Sequence, residues 1–247
     1  MSALTLRFLG SGDAFGSGGR FQACILASSD AGSVLIDCGA SSLIALKQAA
    51  VDPNGIDAIV VSHFHGDHFG GIPFFIIDGQ IAKRERPLLV AGPPGIAGRV
   101  RAAFDALFPG SAETPRAFGP VYVELQSRRE TRVGPATVTA IGVEHTAGTN
   151  AHGLRIELGG RTVGYSGDTA WTDALLEIAS RTDAFICECL ALSKRIPMHL
   201  SAGEIAEHRP ALDTQRLILT HLGPEMLGAA QVAAATLAHD GLAVTIE

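Results

Sequence analysis

The residues best suited to chemistry stand in one short stretch, His63-Phe64-His65-Gly66-Asp67-His68, with three imidazoles and a carboxylate in six positions. The whole chain of 247 residues has nine histidines, so an incidental polar loop is a poor account of three of them here. Imidazole nitrogen and carboxylate oxygen are the donors that zinc-type ions take. A catalytic ion draws only part of its shell from protein, which leaves room for water or substrate. In an extended turn His63 and His65 point to one side. The chain then bends at Gly66, so Asp67 and His68 can face a second ion. Three solitary residues farther along, His145, Asp168 and His221, also follow apolar segments.

Such donors need a frame that brings distant positions together. Residues 56–62 are apolar and β-branched, read as a buried strand, and lead straight into His63. Residues 4–9, 21–27 and 33–37 read as earlier strands, followed by a helix to about residue 50 that Ser41-Ser42 would cap. A helix over about 69–82, a strand over 87–91 and a helix over 94–108 come next. Strands are expected near 121–125 and 136–143, then at 154–158 and 162–166 around Gly159-Gly160, a hairpin signal. The remainder alternates: helix 172–180, strand 184–188, helix 201–208, strand 217–220, helix 224–239 and strand 243–246. Ser201 and Glu204 have the spacing of a capping box. His63, His145, Asp168 and His221 each fall just past an apolar strand-like segment. A sheet fixes the loops along its edge, so these positions describe a scaffold with a site at one rim.

Composition sets the outer bounds. Apolar residues make up 47% of the chain and charged ones 18%, which fits one compact α/β domain over residues 1–247 and excludes disorder. The net charge of −6 argues against a chain built mainly to grip nucleic acid. The basic clusters Lys83-Arg84-Glu85-Arg86 and Arg128-Arg129-Glu130-Thr131-Arg132 are interrupted by acid and read as solvated loop. Cys24, Cys38, Cys187 and Cys189 form no CxxC pair. No basic-then-apolar leader is visible at residues 1–4, and no apolar run approaches a membrane span. A cytoplasmic protein with reduced thiols and no membrane partner is the expectation.

The His63–His68 stretch resembles the metal-binding motif of the metallo-β-lactamase-fold hydrolases, and later pieces match that family in order. Val143-Glu144-His145-Thr146 supplies a lone histidine after a strand. Tyr165-Ser166-Gly167-Asp168-Thr169 supplies the aspartate turn, and Leu217-Ile218-Leu219-Thr220-His221 the final histidine. Leu9-Gly10-Ser11-Gly12 and Leu35-Ile36-Asp37-Cys38-Gly39 are similar to the family as well. The resemblance implies an α/β fold of the four-layer αββα sandwich type, two mixed sheets flanked by helices. It also implies that His63, His65 and His145 hold one divalent ion, that Asp67, His68 and His221 hold another, and that Asp168 bridges them. Zinc is the expected metal, with manganese and iron as alternatives. Such a pair lowers the pKa of a shared water and clamps the attacking and leaving oxygens of a hydrolysis.

Met198-His199-Leu200-Ser201 narrows the class. It resembles the His-Ser/Thr element of the family's phosphodiesterase-like branch, which includes ribonuclease Z and a cyclic-phosphate phosphodiesterase. The resemblance implies that His199 is a general acid for the leaving oxygen; Glu188, closing the strand segment Phe185-Ile186-Cys187-Glu188, is a candidate to orient it. The competing reading of His199 is a solvent-facing residue at a helix start. Asp67 is counted with His199 among the catalytic residues. Ribonuclease Z carries a basic tRNA-gripping arm between the lone-histidine and aspartate motifs, whereas residues 146–167 here already fill a hairpin. The expected substrate is therefore a small or cyclic phosphodiester rather than tRNA. A homodimer is implied only by analogy with relatives. A thioester or lactone hydrolase on the same metal site is the alternative, and a non-catalytic binding or sensing protein is the second. A di-iron redox role is disfavoured because His65 is intact.

Other signals are weaker. Gly10-Ser11-Gly12 lacks the spacing of a dinucleotide fingerprint. Gly164-Tyr165-Ser166-Gly167 is one residue short of a nucleophile elbow. His152, His208 and His239 read as surface or loop residues, and Trp171 as packing beside the Asp168 turn.

Overall fold

The computed structural model describes residues 3–229 and 232–247. One sheet contains β1 (Leu4–Gly10), β2 (Cys24–Ser29), β3 (Gly32–Ile36), β4 (Ala58–Val60), β5 (Leu88–Gly92) and β6 (Pro120–Glu124), with β14 (Ala243–Ile246) added beside β1. The other runs in chain order through β7 (Glu130–Val133), β8 (Ala136–Gly142), β9 (His152–Leu158), β10 (Arg161–Tyr165), β11 (Ala184–Glu188), β12 (Leu217–Thr220) and β13 (Thr236–Leu237). Both sheets are mixed. β3, β4, β5 and β6 lie parallel in the first, and β10, β11, β12 and β13 in the second.

Alternation along each strand explains the layers. In β12, Leu217 and Leu219 face outwards while Ile218 joins the core between the sheets; in β11, Phe185 faces out and Ile186 in. Both faces are covered, which is why such strands are apolar throughout rather than alternating with polar residues. The central core sets Leu6, Phe8, Ile36 and Val60 against Val138, Ile156, Val163 and Tyr165. Outside the first sheet, α1 (Ser42–Gln48), α3 (Ile72–Ile81) and α4 (Ile96–Leu107) bury Leu46, Phe75, Ile76, Val100 and Phe104. Outside the second, α5 (Ala174–Ala179) and α6 (Ala202–His208) bury Leu175, Ile178 and Ile205. Each large apolar side chain taken fully from water contributes about 1.5–3 kcal/mol. The four-layer αββα sandwich is the observed architecture.

Several local expectations fail, each for a physical reason. The helix expected over about 69–82 starts only at Ile72, as α3, and is preceded by a separate short helix, α2 (Gly66–Phe69). Gly71 lies at the break, where a β-carbon would stand 2.2 Å from the Gly39 carbonyl oxygen, so the chain passes too close to its neighbour for any side chain. Ser41 does not cap α1; its hydroxyl accepts the Gln22 N–H at 2.9 Å instead. The cluster at Arg128–Arg132 is not all loop, because Glu130–Val133 pairs with β8 as an edge strand. The helix expected over 224–239 is replaced by a short 3-10 turn at Pro224–Met226 and by β13. There the open edge of β12 recruits Thr236 and Leu237, and this tertiary pairing overrides the helix propensity of an alanine-rich segment. Residues 230 and 231 of that span lie outside the described residues. No helix among the described residues is long and apolar enough to cross a membrane.

Candidate metal centre

Parallel strands deliver their carboxyl ends to a common edge, and the chemistry-bearing residues collect there. Asp37 follows β3 and His63–His68 follows β4. Across the sandwich, Asp168 follows β10, Glu188 ends β11 and His221 follows β12. His145 comes from the loop after β8. Asp37 and His221 both adopt left-handed backbone angles, with φ of 57° and 56°. Strain of that kind persists only where the surroundings enforce it. Gly167, at φ 59°, lets the turn into Asp168 pass close beneath the His152 carbonyl.

Three groups of donors result: two share Asp168, and a third joins Glu188, His199 and His221. Donor atoms of His63, His65, His145 and Asp168 lie within 4.8 Å of one another, and so do those of Asp67, His68, Asp168 and His221. Asp168 belongs to both. His68 Nε2 stands 3.2 Å from Asp168 Oδ1 and 3.3 Å from Asp67 Oδ2, while His221 Nε2 is 3.3 Å from Asp67 Oδ2 and 3.4 Å from Asp168 Oδ2. His145 Nε2 and His65 Nδ1 are 3.1 Å apart. His63 Nε2, His68 Nε2 and Asp168 Oδ1 are buried yet have no hydrogen-bond partner of acceptable geometry. Leaving such atoms unpaired in a protein interior costs free energy. Donors that converge without satisfying one another fit divalent cations, and their mix of imidazole and carboxylate suits zinc-type metals.

A second layer of contacts aims these donors. His68 Nδ1 donates to Asp37 Oδ2 at 2.7 Å, which leaves Nε2 for the cluster. The Ser62 hydroxyl donates to the same oxygen at 2.8 Å and lies 3.1 Å from His63 Nδ1, so it can accept that proton and turn His63 Nε2 inwards. The Ser62 N–H and the Tyr165 hydroxyl complete the donors on Asp37, at 2.7 and 2.9 Å. Contacts of this type fix ring tautomers in metal sites. Glu188 is buried and accepts from His199 Nδ1 at 3.0 Å, from the Thr169 N–H at 2.7 Å and from the Leu200 N–H at 3.3 Å. His145 Nδ1 donates to the Met198 carbonyl at 2.9 Å.

Sequence reasoning assigned no role to Ser62, Tyr165, Thr169 or the Met198 carbonyl. Asp37 was visible within Leu35-Ile36-Asp37-Cys38-Gly39, and a carboxylate closing an apolar strand was its signal. The others act through groups that any buried residue carries, and no spacing marks them.

Electrostatics follow from burial and pairing. Burial works to raise the Asp168 carboxyl, but His221, His68 and His63 outweigh it and hold the group well below the usual range. Asp67 is lowered in the same way by His68 and His221. Burial pushes the His63 imidazole well down, with the nearby His68 adding to the effect. For His68 burial is overcome by Asp168, Asp67 and Asp37, and the imidazole is raised. His221 is raised to about 9 against burial by Asp168 and its contact with Asp67. His199 is raised against burial by its hydrogen bond to Glu188.

His152, His208, His239 and the four cysteines supply no donor atom to these groups. A cavity of about 580 Å³ opens beside His145, lined by Gln126, Ser127, Asn150 and His152. Trp171 stacks on His208 with ring centroids 3.7 Å apart, so it packs on α6. His239 bonds the Asp240 carbonyl. The four cysteines are free and buried.

Residues 33–222 match a family model described as the beta-lactamase superfamily domain. The chain is 26% identical over 266 residues to a protein of Methanosarcina acetivorans named ribonuclease Z, an alignment covering 89% of this chain and 87% of the relative. Among solved structures, the short form of human tRNase Z superposes with a TM-score of 0.81 at 21% identity, covering 98% of this chain and 99% of the other. A diphosphatase from the PhnP family gives a TM-score of 0.77 at 19% identity, covering 98% and 97%. Site and fold agree with these likenesses: the chain belongs to the beta-lactamase superfamily, as a metal-dependent hydrolase of the metallo-β-lactamase fold.

Proposed function

We propose that this chain is a dinuclear phosphodiesterase acting on a small or cyclic phosphodiester. The observation that carries the reading is the placement of His199. It is held by the buried carboxylate of Glu188 and stands with its ring centroid 5.1 Å from His145 and 5.5 Å from His221, one histidine from each donor group. His63, His65 and His145 would hold one ion, Asp67, His68 and His221 the other, and Asp168 both. Zinc is the metal we assign. Ions bound there would supply Lewis acidity and a water acidified towards neutrality.

The chain's own residues do the rest. Asp67 stays ionised, with Oδ2 turned towards the donor cluster, where it can hold both an ion and the attacking water. His199 keeps Nδ1 on Glu188 and so presents Nε2 to the leaving oxygen. Its hydrogen bond to Glu188 raises its pKa and so favours the protonated form that a general acid requires. Residues 146–167 carry the β9–β10 hairpin, and the chain is acidic at −6, which supports a compact substrate. RNA is the second reading, because relatives carry the name ribonuclease Z.

The test is an assay of zinc-loaded protein on bis-p-nitrophenyl phosphate, a nucleoside 2′,3′-cyclic phosphate, precursor tRNA, lactones and thioesters. Turnover of the small diesters, abolished by Asp168→Ala, is expected. Dominant cleavage of a lactone or thioester that the same substitution abolishes would overturn the phosphodiesterase reading. Cleavage confined to precursor tRNA would replace the small substrate with RNA.

A further inference from the structure

Met198, the residue before His199, has a left-handed backbone with φ 66°. A β-carbon disfavours that conformation, so a methionine held there marks a constraint imposed by its surroundings. The constraint is visible in the loop that carries it. Residues 191–201 form a narrow loop whose base is closed by the Ala191–Ser201 bridge and by the Leu190 N–H donating to the Leu200 carbonyl at 3.0 Å. Within it the His199 N–H donates to the Ile196 carbonyl at 3.2 Å. The His199 ring is fastened to Glu188, and the Met198 carbonyl turns to His145 Nδ1 at 2.9 Å. One dipeptide therefore carries the ring held by Glu188 and holds the ring of His145.

We propose that Met198 is a positioning residue. Its left-handed turn aims its carbonyl so that His145 is held with the proton on Nδ1 and Nε2 free for the first ion, tying that ion's site to the His199 loop. The inference rests on reading His145 as a ligand and adds what orients it. Met198 is 44% exposed, so the main chain rather than packing is what the site uses. Rotating the turn to a negative φ swings the carbonyl away and frees the His145 ring. Asp67, His68 and His221 make no hydrogen bond to Met198, so the second donor group keeps its partners.

The test compares Met198→Val with Met198→Gly. A β-branched residue opposes positive φ, whereas glycine accepts it with the carbonyl unmoved. Two readouts apply: nitrogen-15 NMR of the His145 ring in metal-free protein, and stepwise cobalt(II) titration followed by absorbance. The valine variant should lose the Nδ1–H signature and weaken one cobalt step by about tenfold or more, the scale of losing an outer-shell partner, while sparing the other. Glycine should preserve both. Met198→Thr, likewise β-branched, replaces valine if that variant does not fold. A valine variant with an unchanged His145 tautomer, or a glycine variant impaired as much as valine, would overturn the proposal. Native protein that binds only one cobalt would instead sink the two-ion reading, and the His145 nitrogen shift would still decide the role of Met198.

Discussion

His68 and Asp37 meet in fully buried surroundings, Nδ1 to Oδ2 at 2.7 Å, and this contact determines which nitrogen His68 offers to the metal centre. Asp37 accepts from four donors, so an amide in its place would turn an N–H₂ group towards at least one of them. Asp37→Asn should therefore weaken the second ion by about 10- to 100-fold, the usual cost of losing an outer-shell partner. The check is chelator competition on folded protein, with circular dichroism as control. Unchanged affinity for both ions would refute the link.

Asp168 is shared by both donor groups. Asp168→Ala should lower occupancy at both positions at once, measured as metal per chain after dialysis. Loss of a single ion would show that Asp168 serves one site and does not bridge.

Removing His199 separates acid chemistry from metal binding. His199→Gln should keep metal content and slow cleavage of diesters with poor leaving groups by about a hundredfold or more. Diesters of an acidic phenol, which leave without a proton, should be affected far less. Equal loss with every leaving group would point to charge stabilisation instead of proton donation.

Metal uptake should release protons. In metal-free protein the neighbouring carboxylates raise His68 and lift His221 to about 9, favouring their protonated forms, while an ion requires the neutral ring. Calorimetry at pH 7 in buffers of different ionisation enthalpy should report proton release, with apparent affinity rising with pH. Binding without proton release would contradict these shifts. The same pairing sets a stability trend for the metal-free form. The His221 contribution is complete below its ordinary value of 6.5 and disappears as pH climbs through about 9. Thermal unfolding from pH 6 to 9.5 measures it.

Legibility in the sequence followed physical locality. The His63–His68 stretch announced itself because its donors are contiguous, and the apolar runs before His145, Asp168 and His221 showed that strands would carry them. The apolar strands were readable for the same reason, since β11 and β12 are apolar on both faces, whereas the four-layer arrangement followed from the resemblance to the family. Helix limits were less so: the break at Gly70-Gly71 depends on the approach of Gly39, some thirty positions earlier in sequence. The segment after Pro224 shows the opposite conflict, where local preference favours a helix and the open flank of β12 demands a strand. The ring-orienting contacts were hidden because Met198 acts through a carbonyl, and Tyr165 reads as one more core aromatic.

β14 leaves the neighbourhood of β13 and crosses to lie along β1, where Leu4 pairs with Ile246. Nicking the connection between β6 and β7 would therefore not yield two independent pieces. The leading fragment would have a bare β1 flank, and the trailing one would end in a strand whose sheet had gone. Each would also hold only part of the donors, His63–His68 on one and Asp168 with His221 on the other. Such fragments should stay joined after cleavage, and recombining them from separate solutions should restore ion uptake only as they reassociate.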